Sequence, residues 1–166
     1  MWSIEPIGER HARGGFSCGH GSLDDFLKKF ARQNERTGVS RTYVALRPGE
    51  SIVRGYYSIA AGCSPLENVP EELRKRLPHY PIPTAHLGRL AVDSTCRGQR
   101  LGEHLLLDAL ARIAMAGESI AIHAVEVVAI DEAARGFYLK YGFTPMAHDR
   151  RHLYLPISKL NELGLT

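Results

Sequence analysis

LGRLAVDSTCRGQRLGEHLLLDAL, residues 87–110, is the stretch that decides the fold. An apolar segment, 87–92, predicts a strand that enters a short polar loop. Apolar residues then recur at helical spacing and predict a long helix from Arg100 to Ala116. Gly98 and Gly102 flank the helix start, where unpaired N–H groups and the helix dipole favour anions and glycine lets a ligand approach the backbone. The stretch therefore predicts a strand–loop–helix with a phosphate site, although many such loops bind nothing.

Two other phosphate-binding loops do not fit this stretch. It lacks the Lys-Ser/Thr pair of a P-loop, and its glycines do not match the G-x-G-x-x-G pattern of dinucleotide-binding folds. Both classes are therefore excluded here.

The pattern outward from this stretch predicts alternating strands and helices. A helix is predicted from Ser22, its N-cap, to about Arg36, with Asp25 three residues beyond the cap. A shorter helix is expected around Glu71–Leu77, and another at Asp131–Tyr141. Strands are predicted at 2–7, 41–46, 51–61, 84–93 and 120–130, with a turn at 47–50 and a last hairpin over 143–157. The order indicates one domain, residues 1–166, in which helices cover both faces of a mixed sheet.

Bulk composition is that of an ordinary soluble globular domain. The 166 residues are 44% hydrophobic and 23% charged, with no apolar run long enough for a bilayer and no signal-peptide pattern. Cys18, Cys63 and Cys96 are an odd number and widely spaced, which argues against a disulfide framework. We therefore expect a cytoplasmic protein.

Positive charge alone does not decide the function. The net charge is +3, and of the 21 basic residues 16 are Arg. Arg binds phosphate bidentately, as nucleic-acid-binding surfaces require. An arginine-rich genome would produce the same bias.

Two motifs carry a resemblance to the GCN5-related N-acetyltransferases (GNATs). Residues 97–102, RGQRLG, resemble the acetyl-CoA signature Arg/Gln-x-x-Gly-x-Gly/Ala, with Arg100 where the family usually has its middle glycine. Residues 131–143, DEAARGFYLKYGF, resemble Asn-x-x-Ala-x-x-Phe-Tyr-x-x-x-Gly-Phe, with Asp131 in the Asn position. The resemblance spans roughly Ile4 to Ile157. It implies the α+β, three-layer GNAT fold, in which a mixed, mostly antiparallel sheet has a splayed strand pair that admits acetyl-CoA.

The resemblance also implies an active site, with acetyl-CoA as acetyl donor. Backbone N–H groups near Ala91 and Val92 would polarise the acetyl carbonyl. Tyr138 would protonate the leaving thiolate, since a phenol of pKa near 10 is protonated at neutral pH. The expected cofactor-binding residues are Leu90, Ala91, Val92, Arg97, Gly98, Gln99, Arg100, Leu101, Gly102, Asp131, Ala134, Phe137 and Tyr141.

No acidic residue stands out as a general base. Glu126 is one option, although it would equally suit a solvent-facing position at the sheet end, and His123 is another, although a lone His in an apolar run is usually core. His148 and His152 are four apart in the predicted hairpin, where that spacing is not expected to bring them together, so no metal site is expected. An α-amino group, with pKa near 7.7–8.0, scarcely needs a base, whereas a lysine amine does.

Further stretches resemble the acetyltransferase toxins of bacterial toxin–antitoxin modules. They are Phe16–Gly19, Leu23–Leu27, Gly55–Ile59, Pro81–Pro83, Leu87–Asp93, Leu101–Leu110 and the 131–138 motif. This resemblance implies acetylation of the α-amino group of aminoacyl-tRNA, inhibition of translation, a ribbon-helix-helix antitoxin as partner, and a homodimer. Basic residues expected to bind tRNA are Lys28, Lys29, Arg32, Arg36, Arg89 and Arg135, unless they are merely solvated.

Two other functions stay open from the sequence. One is a small-molecule or protein N-acetyltransferase without a toxin role. The other is a non-catalytic acetyl-CoA-binding protein, which the presence of Tyr138 disfavours. A neighbouring ribbon-helix-helix gene would favour the toxin over both.

Overall fold

The computed structural model describes residues 1–163 and contains one seven-stranded sheet. The strands are β1 Ser3–Pro6, β2 Arg41–Leu46, β3 Gly55–Ser64, β4 Ile82–Val92, β5 Ala124–Val128, β6 Thr144–Met146 and β7 Asp149–Pro156. Their order is β1-β2-β3-β4-β5-β7-β6. The β1–β2, β2–β3, β5–β7 and β6–β7 pairs are antiparallel and β4–β5 is parallel. The mixed, mostly antiparallel sheet is thereby confirmed.

Helical segments connect the strands. They are α1 Gly21–Asp25, a π-helical turn Phe26–Phe30, α2 Ala31–Thr37, α3 Leu101–Ala116 and α4 Glu132–Lys140, with short 3-10 turns at Leu66–Asn68, Glu71–Leu73, Ser94–Cys96 and Ile157–Leu163. By its internal contacts the chain divides into two compact units. The first comprises Met1–Ala60 and Gly88–Ala109, and the second comprises Ala61–Leu87 and the chain from Leu110 on. That residues 1–166 form one domain stays a prediction.

In the first unit, helices lie on both faces of the sheet. Tyr56 stacks on Phe26 of the π-turn, and its hydroxyl donates to the Leu23 carbonyl at 2.7 Å. The next residue, Tyr57, donates to the Asp108 carboxylate of α3 at 2.6 Å. Since successive strand residues point to opposite faces, the N-terminal helices and α3 cover opposite sides.

The second unit has a core of its own. Its fully buried members come from β4, β5, β6, β7 and the chain before β4, and the 3-10 segments add partly buried leucines. They are Val69, Ile82, Ala124, Met146 and Tyr154, with Leu66, Leu73 and Leu77 packed against them. This core holds β4, β5 and β7 in register.

The parallel pair β4–β5 is short. It runs from Thr84↔Ala124 to Leu87↔Val127, whereas β4 itself continues to Val92. The last five residues of β4 therefore extend beyond its pairing with β5. The resemblance to the GNAT fold implies that β4 and β5 splay apart beyond this short ladder.

The predicted N-cap Ser22 is wrong. The first helix begins at Gly21, and the N–H groups of Leu23 and Asp24 both donate to the carbonyl of His20 at 3.1 Å. The Asp24 carboxylate instead accepts from the Cys18 N–H at 2.9 Å. The helix therefore starts before Ser22, and His20 takes the N-cap position.

The helix predicted at Glu71–Leu77 is also wrong. Its place is taken by 3-10 turns of three residues each, at Leu66–Asn68 and Glu71–Leu73. Pro65 and Pro70 precede the two turns and supply no N–H, so the second turn cannot extend backwards to join the first. The Arg74 guanidinium donates to the Val69 carbonyl at 2.7 Å and holds the second turn in place.

Two strands are shorter than predicted. Within 51–54, Ile52 bridges Ala12 instead of extending β3. Before β5, Ile120 still donates to the Ala116 carbonyl at the end of α3, at 3.0 Å. Ile52 and Ile120 are both exposed, so the apolar pattern at these two places does not mark buried strand positions.

Candidate active site

The loop between β4 and α3 is built on Asp93. This buried carboxylate accepts from the N–H of Thr95 at 3.1 Å and from the N–H of Ser17 at 3.0 Å. Burial alone would raise the pKa of Asp93, but the hydrogen bonds from Thr95 and Ser17 outweigh it and lower that pKa below its ordinary value. Asp93 thus stays ionised and fixes the loop.

The turn that leads into α3 has two left-handed residues, Gly98 at φ 78° and Arg100 at φ 60°. Residues 97–100 are exposed, whereas Leu101 is buried and anchors the helix. The backbone N–H of His104 makes the first hydrogen bond of the helix, to the Arg100 carbonyl at 3.1 Å. The N–H groups of residues 101–103 therefore have no helical carbonyl one turn earlier to accept them. Such a helix start beside an arginine can bind a phosphate or pyrophosphate.

The Arg97 side chain is already engaged. Its guanidinium donates to the Cys18 carbonyl at 2.7 Å. A Cβ on Gly19, which has φ 94°, would lie 2.9 Å from the Arg97 Nη2. Gln99 is held by Arg47 at 3.3 Å. Arg97 and Gln99 therefore brace the loop, and the backbone and Arg100 are left as its anion-binding groups.

The end of β4 lies beside this loop. Ala91 is buried, and Leu90 and Val92 are half-buried. The Asp93 N–H donates to the Arg54 carbonyl at 2.8 Å, which ties the strand end to the β3 side. The polarising role of the Ala91 and Val92 N–H groups stays a prediction.

In the second unit, α4 holds Tyr138. Asp131 caps this helix by accepting from the Ala134 N–H at 2.8 Å. The Tyr138 ring is 5% exposed and packs against Phe137 and Phe143, with centroids 5.3 and 5.5 Å away. Burial raises the pKa of the Tyr138 phenol. The phenol is therefore protonated at neutral pH.

The predicted tRNA-binding residues of the first unit lie on the N-terminal helices and β4. Lys28 and Arg36 are exposed, and Lys29 pairs with Asp25 at 3.5 Å. Arg32 lies 3.8 Å from Glu9. Arg89 lies over the Phe26 ring at 3.7 Å from its centroid. Four of these side chains are on the N-terminal helices and Arg89 is on β4, and several of them already have partners.

Arg135 belongs to a basic cluster in the second unit. Its Nε donates to the Arg150 carbonyl at 2.8 Å. The Glu132 carboxylate pairs with Arg150 at 2.6 Å and Arg151 at 3.6 Å. Two arginines thus pair with Glu132, and Arg135 is held beside them by the Arg150 carbonyl.

Glu126 is not a solvent-facing charge, and its position in β5 corrects that expectation. It is 1% exposed. Its Oε1 accepts from Ser64 at 2.6 Å and faces the His152 Nε2 at 2.7 Å. Its Oε2 accepts from Thr84 at 2.5 Å and faces the His86 Nε2 at 2.9 Å. Burial would raise the pKa of Glu126, but these four contacts hold it far below its ordinary value. A carboxylate so satisfied is a poor proton acceptor.

His123 lies just before β5 rather than within it. Its N–H donates to the Pro83 carbonyl at 2.9 Å, and burial lowers the pKa of its imidazole. It is therefore a packed, neutral residue.

The expectation that His148 and His152 stay apart is wrong. Met146 pairs with Asp149, so the turn is short, and the His152 Nδ1 lies 3.3 Å from the His148 Nε2. Residues 1–163 contain no group of three or more side chains placed to hold a metal. All three cysteines are free. No helix in this same range is both long and apolar enough to cross a membrane.

Sequence reasoning missed the His86 partner of Glu126 altogether. His86 stands directly opposite Glu126 in the β4–β5 register. The available signal was one polar residue, His86 or Glu126, inside each of two apolar strands. To predict that they meet requires the register of β4 against β5, which the sequence does not give. The Glu126 network comprises Ser64, Thr84, His86, Glu126 and His152.

Known proteins are similar to this chain in sequence and in fold. Residues 39–145 match the acetyltransferase (GNAT) domain family. A tRNA-acetylating toxin of Mycobacterium tuberculosis (strain ATCC 25618 / H37Rv) is 40% identical over 140 residues, covering 84% of this chain and 82% of the relative. A probable toxin TacT of Sinorhizobium fredii (strain NBRC 101917 / NGR234) is 32% identical, covering 96% of this chain and 93% of the relative.

Solved structures agree over nearly the whole length. AtaT complexed with acetyl-methionyl-tRNAfMet has a TM-score of 0.91 at 28% identity, with 99% of both chains covered. AtaTR bound with acetyl-CoA has a TM-score of 0.86 at 28% identity, with 98% of both covered. A tyrosine-to-phenylalanine mutant of the AtaT toxin, bound to the C-terminus of the antitoxin AtaR, has a TM-score of 0.83 at 27% identity, covering 98% of this chain and 97% of that one.

Proposed function

The chain belongs to the GNAT acetyltransferase family, and on that premise we propose that it acetylates the α-amino group of aminoacyl-tRNA as a translation-blocking toxin. It is an acetyl-CoA-dependent N-acetyltransferase. The observation that carries the substrate is the likeness, across 99% of the chain, to a toxin solved with an acetylated aminoacyl-tRNA.

The anion loop at residues 97–102 binds the pyrophosphate of acetyl-CoA in this proposal. The exposed turn and the start of α3 offer backbone N–H groups and the Arg100 charge, which suit a doubly charged pyrophosphate. Gly98 and Gly102 allow close approach, and Leu101 holds the helix start in the core. The β4 backbone at Leu90, Ala91 and Val92 pairs with the pantetheine arm and polarises the acetyl carbonyl. Asp131, Ala134, Phe137 and Tyr141 complete the proposed cofactor-binding set.

Tyr138 is the proposed general acid. The thioester supplies an activated acetyl group, and its cleavage leaves a thiolate that requires a proton. Burial keeps the Tyr138 phenol protonated, so it can donate. The Asp131 cap and the packing of Phe137 and Phe143 hold the ring in one position.

Phosphate contacts from basic side chains bind the tRNA in this proposal. Lys28 and Arg36 are exposed on the N-terminal helices, and Arg135, Arg150 and Arg151 lie together on the second unit, where Glu132 pairs with Arg150 and Arg151. Contacts of this kind are sequence-independent and weaken with salt. Arg32 and Arg89 are also proposed to contact tRNA phosphates.

An antitoxin is the proposed protein partner. AtaT has been solved with the C-terminus of the antitoxin AtaR. That the partner here has a ribbon-helix-helix fold, and that the enzyme is a homodimer, are further predictions from the resemblance. We place the protein in the cytoplasm, where charged tRNA is used.

Incubation with labelled acetyl-CoA tests the proposal. A charged tRNA pool should acquire label on its aminoacyl groups, and deacylated tRNA should not. The matched control is Tyr138→Phe. If polyamines, antibiotics or protein N-termini were labelled and charged tRNA was not, the small-molecule or protein acetyltransferase would be the correct function. Acetyl-CoA binding without turnover on any of these would favour a non-catalytic binding protein.

A further inference from the structure

Two imidazoles, those of His148 and His152, meet at the turn between β6 and β7. His148 is the second residue of the two-residue turn, and His152 lies on β7. The His152 Nδ1 lies 3.3 Å from the His148 Nε2. The ring planes are 80° apart and the ring centroids are 5.1 Å apart. The rings are therefore not stacked, and one nitrogen of each faces the other.

The Glu126 carboxylate determines which nitrogen of His152 carries its proton. An ionised carboxylate can only accept a hydrogen bond, and the Glu126 Oε1 lies 2.7 Å from the His152 Nε2. The His152 Nε2 is therefore the donor. In the neutral ring the Nδ1 then has no proton and keeps a lone pair. His152 thus presents an unprotonated nitrogen to His148.

The distance between the two facing nitrogens suits a pair of metal ligands. Hydrogen bonds from N–H groups are usually about 2.7–3.2 Å long, so 3.3 Å is long for a direct bond between the rings. Two nitrogens that each lie about 2.0–2.1 Å from a tetrahedral zinc ion are about 3.3 Å apart. When the exposed His148 ring carries its proton on Nδ1, its Nε2 also offers a lone pair. Both lone pairs can then bind one ion at the observed separation.

The backbone that carries the two rings is held in place. The Ala147 N–H donates to the Asn68 carbonyl at 3.1 Å, and His152 pairs with Val128 in the β5–β7 ladder. Little conformational freedom is therefore lost when an ion binds. The site is open to solvent on one side, because His148 is exposed and the His152 side chain is 19% exposed. Water can occupy the remaining coordination positions.

We propose that His148 and His152 form a two-histidine site for a divalent transition-metal ion, in which Glu126 orients His152. Imidazole suits Zn²⁺, Cu²⁺ and Ni²⁺, whereas Mg²⁺ and Ca²⁺ prefer oxygen ligands. A carboxylate that accepts from the other ring nitrogen of a histidine ligand fixes its tautomer and raises its basicity. With two protein ligands the site is weaker than a structural zinc site of four. The inference goes beyond the proposed function and does not depend on it.

The test is calorimetric titration of the metal-free protein with ZnCl₂. It is done in a Cys63→Ser background, because the exposed Cys63 thiol would itself bind zinc. We expect one Zn²⁺ per chain at the strongest site. His148→Ala should weaken it by about tenfold or more, since a lost ligand costs at least as much as a lost outer partner. His104→Ala removes another exposed histidine and is the matched control, which should keep the parent affinity. Equal affinities of the two variants would overturn the site.

A second measurement needs no substitution of either ligand. In NMR spectra of the wild-type protein, ZnCl₂ should shift the Cε1–H signals of His148 and His152 together and before those of the other histidines, and MgCl₂ should leave them in place. A shift of only one of the two, or of neither, would overturn the proposal.

The role of Glu126 is tested in the same way. Nitrogen-15 spectra of the wild-type protein should show His152 protonated on Nε2, and protonation on Nδ1 would contradict this role. Glu126→Gln should weaken zinc binding by about 10–100-fold, the usual effect of losing an outer partner. A folded Glu126→Gln variant with unchanged affinity would show that the carboxylate does not orient the ligand.

Discussion

Among single residues, Tyr138 and Arg100 are the two on which the proposed chemistry and the cofactor loop most depend. Burial keeps the Tyr138 phenol protonated. Arg100 holds a left-handed backbone, at φ 60°, in the position where the family usually has glycine. The first residue is the proposed proton donor, and the second carries the departure from the family pattern.

Tyr138→Phe should lower kcat by about 100-fold or more and leave the Kd for acetyl-CoA nearly unchanged, because the ring still packs but the proton donor is lost. Steady-state kinetics and cofactor titration measure the two effects. Tyr154→Phe removes another buried hydroxyl and is the control, which should keep its activity. Full activity of Tyr138→Phe would move the acid role to another group.

Arg100→Gly should stabilise the protein by about 1 kcal/mol, because glycine adopts left-handed backbone without the steric cost of a side chain. Urea unfolding measures this change. Arg100→Ala keeps the strain and removes the charge, so both variants should bind acetyl-CoA more weakly while only the glycine variant gains stability. Equal stability of the two would contradict the role of backbone strain.

At the scale of elements, an N-cap fixes α4 and one buried carboxylate connects the strands around Glu126. The Asp131 carboxylate caps α4, and Tyr138 lies on that helix. Glu126 connects β5 to β3, β4 and β7 through its contacts with Ser64, Thr84 and His152. Changes at the α4 cap should therefore affect both stability and turnover, and loss of the Glu126 carboxylate should affect stability.

Asp131→Ala should cost about 1 kcal/mol of stability, the usual cost of a lost N-cap, and should lower kcat by displacing Tyr138. Asp25→Ala is the matched control, because Asp25 forms an exposed ion pair of small value. Thermal unfolding and kcat are the measurements. A loss of stability without any loss of kcat would show that the cap does not position Tyr138.

The Glu126 network should make stability depend on pH in two directions. The lowered pKa of Glu126 contributes stability above its unfolded value, near 4.5, and this is lost as the pH falls below it. The raised pKa of His86 contributes stability below its unfolded value, near 6.5, and this is lost as the pH rises. The free energy of unfolding, measured in urea from pH 3 to 9, should thus be highest between about 4.5 and 6.5. In Glu126→Gln that maximum should flatten, and an unchanged profile would refute the account.

Local patterns predicted the elements that depend on local sequence. The strand at Arg41–Leu46 has the predicted limits, and α3 starts one residue after the predicted Arg100. The π-turn Phe26–Phe30 could not be predicted, because its sequence suits an ordinary helix and the wider turn accompanies burial of Phe26 and Leu27.

The Glu126 network was beyond the reach of local patterns for a different reason. Its members come from four strands, and their approach depends on register. His148 and His152 meet because the hairpin turn is short, which spacing alone does not tell. The resemblance supplied Tyr138 and the anion loop, whereas the network needed coordinates.

Across the whole molecule, the central claim is that one fold transfers acetyl from acetyl-CoA to the amino group of a charged tRNA. The likeness to AtaT with its acetylated tRNA spans 99% of both chains, which supports the substrate as well as the fold. The basic residues of both units provide the charge that a tRNA backbone requires.

The most direct measurement is mass spectrometry of the aminoacyl-adenosine released from charged tRNA by nuclease after reaction with acetyl-CoA. The account predicts that the aminoacyl group gains the mass of one acetyl group, with fragmentation placing it on the α-nitrogen, and that Tyr138→Phe greatly slows this gain. The account would be contradicted if the aminoacyl-adenosine stayed unmodified while the enzyme consumed all of the acetyl-CoA in acetylating another amine.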